Sequence, residues 1–321
     1  MSKKILSCDW GTSSFRLRLV DVNDGHIIGE LSSNQGIAQT HQQWIAEDGK
    51  EERRLYFYLQ VLQQYSAALL EETGCSEDDI PLVISGMASA SIGMHELAYA
   101  NMPFQLNGKD LLVQTFEKTK EFPHKILLIS GAKTANDVMR GEETQLIGCA
   151  TDSISKRQLF IFPGTHSKHV TVEEGKAISL ETFMTGEFFE LLSAKSLLVN
   201  SVAKSGDIQE PENKEAFAKG IAASSNSTLL HNSFLVRTNQ LFNRFSKTAN
   251  YYYLSGLLIG EELNQLSKNK IDKITIVGEG KLVGNYKAAL SLLNIDAPIE
   301  TIDAATATVK GQLTIYKNFE V

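Results

Sequence analysis

Cys8-Asp9-Trp10-Gly11-Thr12-Ser13-Ser14 and Pro163-Gly164-Thr165-His166-Ser167-Lys168 decide the fold, because the chain enters and leaves both in the same way. The first is entered from Ile5-Leu6, left through the alternating run Phe15–Val20, turned at Asn23-Asp24-Gly25 and continued by His26–Leu31. The second is entered from Leu159–Phe162, left through His169–Val172, turned at Glu173-Glu174-Gly175 and continued by Ala177–Leu180. Strand, Gly-Thr-x-Ser loop, strand, acidic-Gly turn, strand thus occurs twice, about half a chain apart. A hairpin tip rich in Gly, Thr and Ser offers backbone N–H groups and hydroxyls to an anion. Two such tips facing each other would grip a polyphosphate from both sides. Asp9, just before the first glycine, supplies the hard oxygen that magnesium takes alongside substrate phosphates.

Composition narrows the class. The chain has 321 residues, 42% hydrophobic and 21% charged, which fits an ordinary globular protein of two domains. A net charge of -7 and the absence of any basic run exclude a phosphate-backbone surface, so no nucleic acid is expected. No apolar run is long enough to span a bilayer, and the polar start Ser2-Lys3-Lys4 is no signal peptide, so a cytoplasmic protein is expected. Cys8, Cys75 and Cys149 form neither a metal spacing nor a disulfide framework and read as small buried apolar residues.

Strands and helices alternate along the rest. Ala46–Thr73 reads as one helix with Leu55, Tyr58, Leu59, Leu62, Tyr65 and Leu69 on one face. Leu82–Ser85 is a buried strand that ends in the small-residue loop Gly86–Gly93, where an α/β fold places a ligand. Ser89 and Ser91 are the candidate contacts there. Lys125–Ser130 is a second buried strand, followed by a loop through Asn136-Asp137 into a helix starting near Met139 or Arg140. In the second half, Thr185–Phe188 reads as a capped helix start with Phe188, Phe189, Leu191 and Leu192 on its apolar face. Lys195–Asn213 reads as a surface excursion, and helices follow at Glu215–Ala223 and Tyr252–Leu266. Ile274–Val277 is a strand ending in Gly278-Glu279-Gly280 before a helix, Pro298–Ile302 a last strand, and Ala304–Tyr316 a final helix. The boundary between domains is expected at Cys149–Ser153. Residues 1–150 would form the first domain and 151–303 the second, with the segment 304–321 packing back on the first.

The duplicated unit resembles the fold shared by sugar kinases, acetate kinase, actin and heat-shock chaperones. That resemblance implies an α/β protein of two similar actin-like ATPase (ribonuclease H-like) domains with a nucleotide cleft between them. Five stretches resemble the 2-dehydro-3-deoxygalactonokinase family: Asp9–Ser13, Val138–Gly148, Pro163–Lys168, Met184–Glu187 and Leu254–Gly260. They occur in that family's order, and Met139-Arg140-Gly141-Glu142-Glu143-Thr144-Gln145 is the most specific of them. The family often has Trp where His169 stands, and often Trp after Gly93, where this chain has Met94; both departures bear on packing at the ligand edge.

The resemblance implies transfer of the ATP γ-phosphoryl group to the 6-hydroxyl of 2-dehydro-3-deoxy-D-galactonate, with ATP and magnesium as cofactors. Gly11, Thr12, Ser13, Gly164, Thr165, His166, Ser167 and Lys168 would meet phosphate, Gly278, Glu279 and Gly280 adenosine, and Asp9 the metal. Arg140 would pair with the acceptor's carboxylate, with Ser89, Ser91 and Glu187 as further acceptor contacts. Asp137 or Glu142 would receive the hydroxyl proton; Asp137 is alternatively a helix N-cap, Arg140 half of an ion pair with Glu142 or Glu143, and Lys168 a solvated strand-end lysine. A kinase for another sugar acid and a nucleotide-dependent binding protein of the chaperone or actin type remain open, as does the oligomeric state, a homodimer included.

Overall fold

The computed structural model describes residues 3–47, 49–76, 79–149, 157–268 and 271–319. The chain divides into two units, residues 1–154 with 175–180 and 304–321, and residues 155–174 with 181–303. The boundary expected at Cys149–Ser153 lies, Cys149 apart, outside the described residues.

In the first unit the apolar runs become strands β1 (Lys4–Trp10), β2 (Phe15–Asp21) and β3 (Ile27–Ser33). Helices α1 (Ile37–Glu47) and α2 (Glu51–Glu72) follow, then β4 (Leu82–Gly86), β5 (Ala100–Asn101), β6 (Phe104–Gln105), β7 (Val113–Phe116) and β8 (Ile126–Ile129). A hairpin of β9 (Ala132–Lys133) and β10 (Val138–Met139) leads into helix α3 (Glu142–Gly148). The large sheet has the order β3-β2-β1-β4-β8-β7. Strands β1 to β3 form an antiparallel meander, while β4 and β8 run parallel to β1. Ile5, Leu6, Cys8 and Trp10 in β1 and all of β4 are buried. That is the near-continuous burial of strands covered on both faces.

The second unit repeats this. Strands β11 (Gln158–Phe162), β12 (Ser167–Glu173) and β13 (Lys176–Phe183) are followed by helices α4 (Thr185–Lys195), α5 (Pro211–Ser224), α6 (Leu229–Leu241) and α7 (Lys247–Leu263). Strand β14 (Lys273–Val277), helix α8 (Gly280–Leu292) and strand β15 (Ile299–Ile302) complete it. Strand order β15-β14-β11-β12-β13, with β14 and β15 parallel to β11 and β12 antiparallel to it, repeats β8-β4-β1-β2-β3. The last helix, α9 (Ala304–Phe319), belongs to the first unit and packs on α3, β4 and β1. It approaches α3 so closely that a Cβ on Gly148 would stand 1.8 Å from Ala307 O and one on Gly311 1.9 Å from Thr144 O.

Several elements differ from the sequence reading. Residues 46–73 are not one helix, because Gly49 at φ +61° donates its N–H to Trp44 O and ends α1 there. The helix expected near Met139 or Arg140 begins at Glu142, after Gly141 at φ +110°; Met139 is in a strand. Thr185 does start a helix, but its hydroxyl caps nothing and points instead to Glu262. On that helix Phe188 and Leu191 are exposed, and only Phe189 and Leu192 reach a core. Helix α6 was invisible because its apolar residues follow no clean face; Leu230 is 87% exposed. Cys8 and Cys149 are buried, whereas Cys75 is half-buried with the Lys4 ammonium 3.7 Å from its sulfur.

Candidate active site

Each hairpin tip is pressed by the start of the helix that follows its meander. At the first tip the Ile37 N–H donates to Gly11 O (2.9 Å) and the Ala38 N–H to Thr12 O (3.0 Å). Gly36 lies against it so tightly that a Cβ would stand 2.3 Å from Thr12 O. At the second tip the Glu187 N–H donates to Thr165 O (3.0 Å), and a Cβ on Gly186 would stand 2.4 Å from Gly164 O. Helix N-terminal donors thus take the carbonyls of both tips. The backbone N–H groups of Thr12 and Ser13, and of Gly164, Thr165 and His166, donate to no protein atom among the described residues. Thr12, Ser13, Thr165 and His166 are exposed. Nests of unpaired N–H groups bind anions.

Beside the first tip, Asp9 is the second-last residue of β1, with its side chain 20% exposed and the Arg16 guanidinium 3.6 Å away. Burial pushes the Asp9 carboxyl up, and the charges of Arg16 and Arg18 pull against that. Gly86, at φ +94°, abuts this end; a Cβ there would stand 2.7 Å from Trp10 O and 3.5 Å from Asp9 Oδ1. Gly141 packs on Gly86 in turn, its Cβ position 3.4 Å from the Gly86 Cα. Asp9 therefore adjoins the first residue of the Gly86–Gly93 loop, on which Gly141 packs. Among the described residues no cluster of three or more His, Cys, Asp or Glu side chains is poised for a metal. A single carboxylate next to an anion nest does fit magnesium carried in with phosphates.

The Asp137 side chain caps no helix. It sits at the β9–β10 turn, its N–H on Thr134 Oγ1 (3.0 Å) and its Oδ1 accepting from Val138 N–H (2.8 Å). Asp137 lines an open polar pocket of about 640 Å³ with Asn101, Lys133, Thr134 and Asn136. Glu142 accepts the Arg140 N–H (3.0 Å). Two nitrogens of the Arg140 guanidinium are engaged: Nη1 donates to Ser89 O and Ser89 Oγ (both 2.6 Å), Nη2 reaches Leu97 O (3.4 Å), Tyr99 lies 4.1 Å beneath it, and Nε is buried with no partner among the described residues. Arg140 is therefore neither free to meet a carboxylate bidentately nor part of the described ion pairs. Ser89 is fully buried and also donates to Ile129 O (2.8 Å), so its hydroxyl lies behind the loop; Ser91 is exposed on it.

In the second unit Ser167 is buried below the tip, with its Oγ on Glu262 Oε1 (2.7 Å). Lys168 is 7% exposed, its Nζ on His166 O (3.2 Å), so it is no solvated strand-end lysine. His166 and Glu187 face each other at 2.6 Å, both partly exposed. Gly278 is beside Pro163 of the tip, its Cβ position 3.8 Å from the proline Cδ. Glu279 and Gly280 are exposed, and Gly280 and Gly284 have open space where a side chain would stand. His169 and Met94, the two departures from the family pattern, are both buried.

The pattern of the 2-keto-3-deoxy-galactonokinase family matches residues 9–315. The chain belongs to that family. Its members are sugar-acid kinases, phosphotransferases acting on an alcohol group, and this chain is one of them. It is 28% identical over 314 residues to a probable 2-dehydro-3-deoxygalactonokinase of Rhizobium meliloti (strain 1021), covering 94% of this chain and 93% of that one. It is 27% identical over 316 residues to the 2-dehydro-3-deoxygalactonokinase of Escherichia coli (strain K12), covering 95% of each. A Sinorhizobium meliloti crystal structure provisionally assigned as a 2-dehydro-3-deoxygalactonokinase superposes with a TM-score of 0.80 at 27% identity, covering 98% of this chain and 96% of that one. No helix among the described residues is long and apolar enough to cross a membrane.

Sequence reasoning missed three residues that shape the candidate site. Glu143 is fully buried and takes the Gly141 N–H on Oε2 (2.8 Å) and Oε1 (3.0 Å). Burial first, and the neighbouring Glu142 charge second, push it up to about 8. Arg54 reaches from α2 to Gly93 O (2.8 Å) and Ser91 O, pinning the Gly86–Gly93 loop. Glu262 gathers Ser167 and His169. Only Glu143 carried a signal, its place in the Met139–Gln145 run.

Proposed function

We propose that the chain transfers the γ-phosphoryl group of ATP to the 6-hydroxyl of 2-dehydro-3-deoxy-D-galactonate. The observation that carries this is the pair of equivalent hairpin tips with unpaired N–H groups. Thr12 and Ser13 in one unit, and Gly164, Thr165 and His166 in the other, bind the phosphates, with Lys168 contributing its charge from beneath. The open surface at Gly278, Glu279 and Gly280 takes adenosine, where helix α8 leaves room beside Pro163. Asp9 holds magnesium, which neutralises charge on the transferring group when bound.

The acceptor occupies the polar pocket of the first unit. Asp137 is the base that receives the hydroxyl proton, and Glu142 is the alternative. The occupied fork of Arg140 makes it the brace between β10 and Ser89. Lys133, exposed on the pocket wall, is then the cation for the acceptor carboxylate, with Ser91 of the same unit as a further polar contact. Phosphoryl transfer needs positioning and charge stabilisation more than covalent chemistry, which suits this set. The test is ADP release across a panel of 2-keto-3-deoxy sugar acids, hexoses and no acceptor. Turnover with the galactonate-derived acid far above the others is expected. Preference for another sugar acid would reassign the acceptor, and equal turnover without acceptor would favour a chaperone-like nucleotide switch.

A further inference from the structure

Below the second tip, one carboxylate collects four donors. Ser167 Oγ (2.7 Å) and His169 Nε2 (2.8 Å) donate to Glu262 Oε1, and the Tyr286 hydroxyl (2.7 Å) and the Thr185 hydroxyl to Oε2. The Glu262 side chain is 1% exposed, and Ser167, His169 and Tyr286 are buried with it. The donors come from β12, the first residue of α4 and helix α8, while Glu262 itself stands near the end of the buried helix α7. Burial pushes the Glu262 carboxyl up, but the hydrogen bond and charge of His169, then the bonds from Thr185 and Tyr286, outweigh it and hold it below the ordinary range.

Two of the segments held this way bracket the tip. Ser167 follows it directly. Thr185 precedes Gly186 and Glu187, which press on Gly164 and bond to Thr165 O. We infer that Glu262 is a positioning residue for the second phosphate loop, fixing the base of β12 and the start of α4 so that the tip's N–H groups keep an anion-binding arrangement. A buried charge is a poor device for stability alone, since apolar packing of equal volume serves as well or better. Satisfied polar networks instead fix a unique geometry. The inference rests on reading that loop as a phosphate site.

The test uses the full chain with Glu262→Gln, which keeps the side chain's size and lets the three hydroxyls reorient around the amide. Michaelis constants for ATP and for the sugar acid are measured, with direct ADP affinity and melting temperature. The expected result is a weakening of nucleotide affinity and a rise in the ATP constant by roughly 10- to 100-fold, the effect typical of partners that orient a ligand-binding group, with the sugar-acid constant unchanged. Tyr286→Phe removes one donor and should shift the ATP constant the same way by less. Unchanged nucleotide affinity in Glu262→Gln, or an equal rise in both constants, overturns the inference. If that variant does not fold, an unchanged ATP constant in Tyr286→Phe overturns it. Absence of saturable nucleotide binding by the unaltered protein would strike the phosphate-loop reading itself.

Discussion

Asp137 and Glu142 compete for one role, and the structure separates their surroundings. Asp137 lines an open pocket at a hairpin turn with its Oδ1 on the Val138 N–H, whereas Glu142 begins helix α3 with its carboxylate on the Arg140 N–H. Asp137→Asn should lower kcat by about 10²–10⁴-fold, the usual worth of a general base, while nucleotide affinity survives; a mild effect there with a severe one in Glu142→Gln would move the base to α3. Lys133→Gln should raise the Michaelis constant for the sugar acid and leave that for ATP alone, since a hydrogen bond to a charged group is worth about 1.5–3 kcal/mol. Arg140→Lys should instead lower the melting temperature, because lysine cannot reproduce the fork on Ser89 and Leu97. Glu143 gives a pH signature. Its carboxyl is raised from 4.5 to about 8 in the folded chain. Between those values the folded state holds a proton that the unfolded state releases, so stability falls as pH rises through that window. Each unit of the gap corresponds to about 1.4 kcal/mol. Melting temperatures from pH 5 to 8 should decline more steeply in the unaltered protein than in Glu143→Gln.

At the scale of elements, the two meanders are duplicated down to the glycine that the next helix presses onto each tip. Gly36 and Gly186 leave no space for a Cβ against Thr12 O and Gly164 O. Gly36→Ala should push the first tip away from the start of α1 and raise the Michaelis constant for ATP, a displacement that catalysis punishes steeply. Steady-state kinetics beside circular dichroism would check it; a folded variant with unaltered ATP dependence would show that the tip tolerates the shift. The tips themselves were legible because Gly, Thr and Ser between alternating runs can only be turns. The helix α1 that clamps the first was not, since its buried positions are only Ile37, Thr40 and Trp44 among polar neighbours. The short strands β9 and β10 were also hidden, because two residues carry no periodicity.

For the molecule as a whole, α9 returns from the end of the chain to the first unit. Its Gln312 amide is fully buried and donates to Cys8 O (2.8 Å) and Ser85 Oγ (2.9 Å) on the two central strands. A chain ending at Asp303 should therefore lose the first unit's cooperative melting transition, read by calorimetry, because removing α9 exposes Ala307, Val309, Ile315 and Tyr316 partners in the core. The sequence by itself determined the duplicated strand-loop-strand units, the family and the position of the two hairpin tips, since local turn chemistry and apolar periodicity act over a few neighbours. Only the tertiary structure decided which polar groups are free. Arg140 and Ser167 look like ligand contacts in the sequence, yet folding places Ser89, Leu97 and Glu262 against them. Glu262, 95 residues from Ser167, is invisible to any local reading, because a buried hydrogen bond depends on distance in space and not along the chain.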